Sequence, residues 1–133
     1  VPTLLPLSEA EKNEQLMLIP ILHPDQVSLI EEALPDCHLI RWSDGMSFDI
    51  AKKDVSKIHG IRKIIERLGI SIDEVAAIGD GWNDVEMLDS VGLGIAMGNA
   101  KPEAKAVAKH ITEHILEEGL PKAVDYILSL NQK

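Results

Sequence analysis

Asp80 and Asp84 stand four residues apart in the stretch Gly79-Asp80-Gly81-Trp82-Asn83-Asp84, directly after the apolar run Val75-Ala76-Ala77-Ile78. Carboxylates on a glycine-flanked turn are hard oxygen donors. They suit Mg²⁺, which usually takes one or two carboxylates and leaves its remaining positions to water and phosphate. Asp80 is the expected metal ligand. Asp84 completes the candidate metal pair, either as a carboxylate that orients metal-bound water or as a helix-terminus charge favoured by the macrodipole. Asn83 offers an amide donor to a bound anion, and Gly79 and Gly81 permit a tight backbone path. The same residue types also serve turns and helix caps for purely local reasons, so the stretch alone leaves both readings open.

The elements around this stretch give it a place. Val75-Ile78 reads as a strand and residues 83–91 as the following helix, so the loop falls at a strand's carboxyl end, where open parallel sheets bind ligands. Residues 92–97 read as the next strand. There Leu93, Ile95 and Met97 alternate with Gly94 and Ala96, so one face buries bulk and the other admits a close neighbour. Pro102 opens a helix, residues 110–112 form a short strand, and Leu120, Ala123, Val124, Ile127 and Leu128 mark a last amphipathic helix. Before the loop, Ser56 suits an N-cap, Ile58, Ile61, Ile64, Ile65 and Leu68 form a helical stripe, and Gly69 suits the left-handed end. Strands alternating with helices imply parallel βα units.

The first half reads differently. Residues 1–14 read as a linker or short helix, residues 15–22 as a strand, and His23-Pro24 as the start of a helix bearing Val27, Leu29, Ile30 and Leu34. Asp44-Gly45 between two β-rich runs signals a hairpin whose central residues tolerate positive φ. The pattern changes near residue 53. This divides the chain into an α+β part, residues 1–52, and an α/β part, residues 53–133.

At 133 residues with 45% apolar content, the chain is long enough to bury a core. Its 22 acidic against 13 basic residues give a net charge of -9, which repels nucleic acid and anionic lipid. Neither is an expected partner. No apolar run approaches the roughly 20 residues of a membrane span. A single cysteine, Cys37, cannot form an internal disulfide. The expected compartment is the cytoplasm.

The run "GDGWNDVEMLDSVGLGIAMGNAKPEAKAVA", with "VSKIHGI" before it and "EEGLPKAV" after it, resembles the C-terminal half of a haloacid dehalogenase superfamily phosphatase of the Cof type. The likeness covers about three quarters of the chain, and residues 15–51 resemble the closing half of that subgroup's α+β cap. The resemblance implies an α/β fold: the C-terminal part of a Rossmann-like core, with a parallel sheet and flanking helices, plus part of a cap. It implies a Mg²⁺-dependent phosphomonoester hydrolase for small phosphorylated metabolites such as sugar phosphates. Lys57 matches the lysine that contacts the transferring phosphoryl group and the nucleophilic aspartate. Asp80 matches the acidic Mg²⁺ ligand, Asn83 a residue bonding substrate phosphate, and Asp84 the last acid of the same motif.

The chain departs from the family in one respect. The family's nucleophile and its acid-base partner lie in an Asp-x-Asp-x-Thr motif, and no two aspartates in this chain stand two apart. The expectation is a half-site without a nucleophile, inactive alone, completed by a missing N-terminal half in a protein about twice this length. That missing half contributes the strand beside Val75-Ile78, so its absence exposes an apolar edge. The alternatives are a non-catalytic phosphate-binding or interaction half-domain and, less well matched, the phosphorylation domain of a P-type cation pump.

Other residues carry competing readings. His110 and His114 have the spacing of a helical metal pair but suit surface histidines better. His59 suits solvent better than the pocket. Trp82 suits ring stacking or rim packing equally, and Arg41 and Trp42 suit an ordinary β-surface or a cap face.

Overall fold

The computed structural model describes residues 7–10, 12, 17–42 and 44–130, and the chain divides into two compact units, Val1–Lys53 and Asp54–Lys133. Each is described by itself.

In the first unit, a short helix α1 (Leu7–Ala10) falls within the stretch read as linker or helix. A single turn, Pro24–Gln26, leads into α2 (Val27–Ala33), where Leu29 faces solvent instead of a core. Strands β1 (Cys37–Arg41) and β2 (Phe48–Lys52) pair antiparallel in the register Leu39 with Ile50. The segment expected as a strand over residues 15–22 lies along β2 only as isolated bridges, Leu18 with Ile50 and Ile21 with Ser47; residues 15 and 16 fall outside the described residues. Pro20 explains the interruption, since it has no N–H to donate, although its carbonyl accepts from Phe48 N at 3.1 Å. Among the described residues, Leu22, Phe48, Ile50 and Ala51 are the buried apolar residues of this unit.

The Asp44-Gly45 signal marks a turn of another kind. Gly45 has φ +78°, but among the described residues Glu118 is the only non-glycine with positive φ, so Asp44 is not the left-handed residue of a two-residue hairpin. The turn is built on the Asp44 side chain instead. Asp44 caps it through its carboxylate, which accepts from the backbone N–H of Met46 and Ser47, both at 2.9 Å, and from the Ser47 hydroxyl at 2.6 Å. An aspartate that bonds backbone two and three residues on folds a turn without leaving the ordinary φ range. Arg41 and Trp42 brace the same loop. Arg41 donates twice to Gly45 O, at 2.7 and 3.0 Å, and Trp42 Nε1 donates to Asp49 Oδ1 at 2.9 Å.

The second unit is the α/β arrangement expected from the alternation of strands and helices. Helix α3 (Lys57–Leu68) ends at Gly69 with φ +67°. Strand β3 (Ala76–Gly79), helix α4 (Val85–Ser90), strand β4 (Leu93–Ala96), helix α5 (Pro102–Val107) and strand β5 (His110–Ile111) then build a parallel sheet of order β3-β4-β5, and α6 (Gly119–Leu130) follows. The core joins Ile58, Ala77, Met87, Leu88, Val91, Ala96, Met97 and Ala104. At Gly94 the expected close neighbour is the backbone carbonyl of Leu88, on which a β-carbon would intrude. That approach seats α4 on β4 and completes the burial of Leu88 and Ile95.

The helical stripes are only partly covered. In α3, Ile58 is buried and Ile61 and Ile65 are half-buried, but Ile64 and Leu68 are exposed. In α6, Ala123 is buried while Leu120, Val124 and Leu128 are exposed. Among the described residues β3 stands at the sheet's edge, pairing only with β4. No helix among the described residues is long and apolar enough to cross a membrane.

Candidate phosphate and metal site

The loop after β3 is folded around Asp84. This residue is only 3% exposed, at the end of the single turn Trp82–Asp84 that precedes α4. Its Oδ2 accepts from the backbone N–H groups of Asp80 and Gly81, both at 2.9 Å, and its Oδ1 accepts from Lys57 Nζ. Gly79 leaves room for this arrangement: a β-carbon there would stand 2.6 Å from Asp84 Cβ. Burial alone opposes the charge on Asp84. The Lys57 ammonium and the Gly81 and Asp80 N–H groups outweigh that penalty and hold its carboxyl below the ordinary carboxylate range. Loop, strand end and α3 are thereby joined through one buried anion.

Lys57 is the first residue of α3, and Ser56 is its N-cap in position only. The Ser56 hydroxyl meets His59 Nδ1 at 2.8 Å, with no side-chain bond to the helix backbone. His59 therefore has a partner at the N-cap position of its helix. Lys57 keeps about half of its side chain exposed while holding Asp84, so its ammonium has protons left for another anion.

Asp80 is exposed and its carboxylate accepts from Asn99 Nδ2 at 3.1 Å through Oδ2. Lys57, Asp80 and Asp84 share a pocket of about 310 Å³ with Ile78, Gly79, Met97, Asn99, Ile115 and Leu120. Asn83 is exposed and is not among the residues lining that pocket; its side-chain oxygen lies toward Gly81. Trp82 is half-buried, with Lys101 Nζ 4.6 Å from its ring centroid. The backbone N–H of Lys101 donates to Asp80 O at 2.9 Å, which ties this rim to the loop.

Sequence reasoning brought Lys57, Asp80 and Asp84 to one place but missed two features. One is the direct pairing of Lys57 with Asp84. The other is Asn99, whose signal was its position just beyond β4, since the rule that ligands sit past strand ends applies to the neighbouring strand as well. His110 and His114 do not pair. His110 stacks on Tyr126 with ring centroids 4.0 Å apart, and His114 Nδ1 accepts from Leu116 N at 3.1 Å. Both are half-buried structural residues, not free surface groups.

The donor set fits Mg²⁺. Asp80 Oδ1 has no hydrogen-bond partner among the described residues and belongs to a carboxylate lining the pocket, next to a loop of backbone N–H groups and an ammonium. Among the described residues no three His, Cys, Asp or Glu side chains converge. One carboxylate with solvent and phosphate completing the shell is the manner in which Mg²⁺ is commonly held.

A protein-family model described as haloacid dehalogenase-like hydrolase matches residues 9–124. The structure is similar to the HAD subclass IIB sugar phosphatase BT4131, with TM-score 0.83 and 33% identity over 92% of this chain and 46% of that one. It is also similar to BT1666 of Bacteroides thetaiotaomicron, a phosphatase of the same superfamily, with TM-score 0.83 and 28% identity over 96% of this chain and 47% of that one. Phosphoglycolate phosphatase of Archaeoglobus fulgidus is 39% identical over 83 residues, 62% of this chain and 37% of the relative. The chain thus spans less than half the length of each of these relatives.

Proposed function

Because this chain belongs to the haloacid dehalogenase-like hydrolase family, we propose that it carries the phosphate- and metal-positioning side of a Mg²⁺-dependent phosphomonoester hydrolase acting on small phosphorylated metabolites such as sugar phosphates. The observation that carries the reading is the meeting of Lys57, Asp80 and Asp84 on one pocket beyond β3. The likeness to a sugar phosphatase and to a phosphoglycolate phosphatase supports the substrate class.

In this reading each residue has a separate task. Asp80 offers its free oxygen to Mg²⁺, which when bound neutralises phosphate charge and screens the attack of an anionic nucleophile. Asp84 keeps its oxygens for the loop N–H groups and Lys57, so it shapes the loop and positions the ammonium. Lys57 directs its remaining protons at a phosphoryl oxygen, where charge develops during transfer. Asn83, exposed on the loop, supplies an amide to the substrate side. The aspartate that attacks phosphorus and the group that moves the proton come from outside this chain, whose 133 residues contain no pair of aspartates two apart. The chain alone is inactive, and an N-terminal half completes it.

The test is a p-nitrophenyl phosphate assay on the complete polypeptide with its Asp-x-Asp segment. Asp80→Asn should abolish the response to Mg²⁺ and cut kcat about a thousandfold, the scale of losing one preorganised electrostatic group. Unchanged Mg²⁺ dependence in that variant would refute the metal assignment.

A further inference from the structure

We infer that Asn99 is a positioning residue for Asp80: its amide holds one carboxylate oxygen so that the other is presented to the pocket as a single cation-binding oxygen. The inference rests on the reading of Asp80 as the metal ligand.

Both ends of the Asn99 amide are used. Nδ2 donates to Asp80 Oδ2 at 3.1 Å, and Oδ1 accepts from the backbone N–H of Ile115 at 3.0 Å. A half-turn of the amide would set the Nδ2 donor against an N–H and Oδ1 against a carboxylate, so one orientation is selected. The turn that carries Asn99 is itself braced. Gly98 N donates to Glu113 O at 2.9 Å, and Lys105 Nζ donates to Gly98 O at 2.6 Å. Asn99 therefore reaches Asp80 from a fixed base.

Asp80 needs such a partner. It is exposed, so packing does not fix its side chain, and among the described residues Asn99 is the only side chain bonded to its carboxylate. A carboxylate free to rotate presents either oxygen or both to a cation. One whose Oδ2 is occupied presents Oδ1 alone, and the ordering is achieved before the cation arrives. The same amide ties this oxygen to Ile115, a residue of the pocket wall, so the ligand and the wall keep a constant separation.

The experiment titrates Mn²⁺, which takes the same oxygen donors as Mg²⁺, into the 133-residue chain and counts free Mn²⁺ by electron paramagnetic resonance. Wild type, Asp80→Asn and Asn99→Ala are compared, with thermal melting as the fold control. Asp80→Asn should remove the site. Asn99→Ala should keep it but weaken it about 10- to 100-fold, the usual effect of losing a group that orients a ligand, with an unchanged Tm. In the wild type the side-chain amide resonances of Asn99 should shift on addition of Mg²⁺, and in Asp80→Asn they should not. Loss of the site in Asp80→Asn with wild-type affinity in Asn99→Ala would overturn the positioning role and leave the metal reading intact. Wild-type affinity in Asp80→Asn would overturn both. Should Asn99→Ala fail to fold, a wild-type Asn99 amide unmoved by Mg²⁺ would overturn the inference.

Discussion

At the scale of residues, the buried Asp84 carboxylate is the anchor of the site. Lys57→Met removes its ammonium partner and leaves the anion with two backbone donors, which should cost about 1–3 kcal/mol of stability; urea unfolding measures it. The pH dependence has a definite sign. The folded carboxyl is held below its ordinary value of 3.8, so its contribution is fully present above that value and is lost as pH falls through the lower folded value. The stability gap between wild type and Asp84→Asn should therefore be constant from neutral pH down to about 5 and shrink on further acidification below 3.8. A gap that widened with acid would contradict the ion pair. The spacing of Asp80 and Asp84 was enough to place both on one loop. The partner of Asp84 was not legible, because Lys57 lies 27 residues away and only the packing of α3 delivers it.

Among elements, two glycines separate local propensity from packing. Gly94 meets the Leu88 backbone, so Gly94→Ala must force α4 off β4, with a cost at or above the roughly 1–3 kcal/mol of overpacking. Gly60 in α3 has nothing within 4 Å of where a β-carbon would go, so Gly60→Ala should stabilise by about 0.5–1 kcal/mol. Thermal melts of the two variants should move in opposite directions. The strand alternation around Gly94 announced a close approach, and the order of elements from α3 to α6 followed from periodicity. The hairpin was legible as a turn but not as its type, because Asp-Gly suits both a left-handed pair and an Asx cap, and the hydroxyl of Ser47 decides for the cap. The interrupted strand before it carried its own signal in Pro20, which the apolar run around it masks.

For the whole molecule, the uncovered apolar residues are the main finding. Ile64, Leu68, Leu120, Val124 and Leu128 lie on helices patterned for burial, and β3 stands at the edge of the described sheet. Such surface on an isolated chain binds apolar dyes. The 133-residue chain should therefore enhance anilinonaphthalene sulfonate fluorescence, and the enhancement should fall when a family N-terminal half is joined to it. Periodicity assigns a helix an apolar face, but it cannot say whether the covering element lies in the same stretch of chain. The measurement that tests the central claim most directly is Mg²⁺-dependent hydrolysis of p-nitrophenyl phosphate by this chain alone and by the same chain joined to an Asp-x-Asp half. The account predicts no turnover by the first and Mg²⁺-dependent turnover by the second, lost in Asp80→Asn. Turnover by the 133 residues alone would place a nucleophile within them and contradict the half-site.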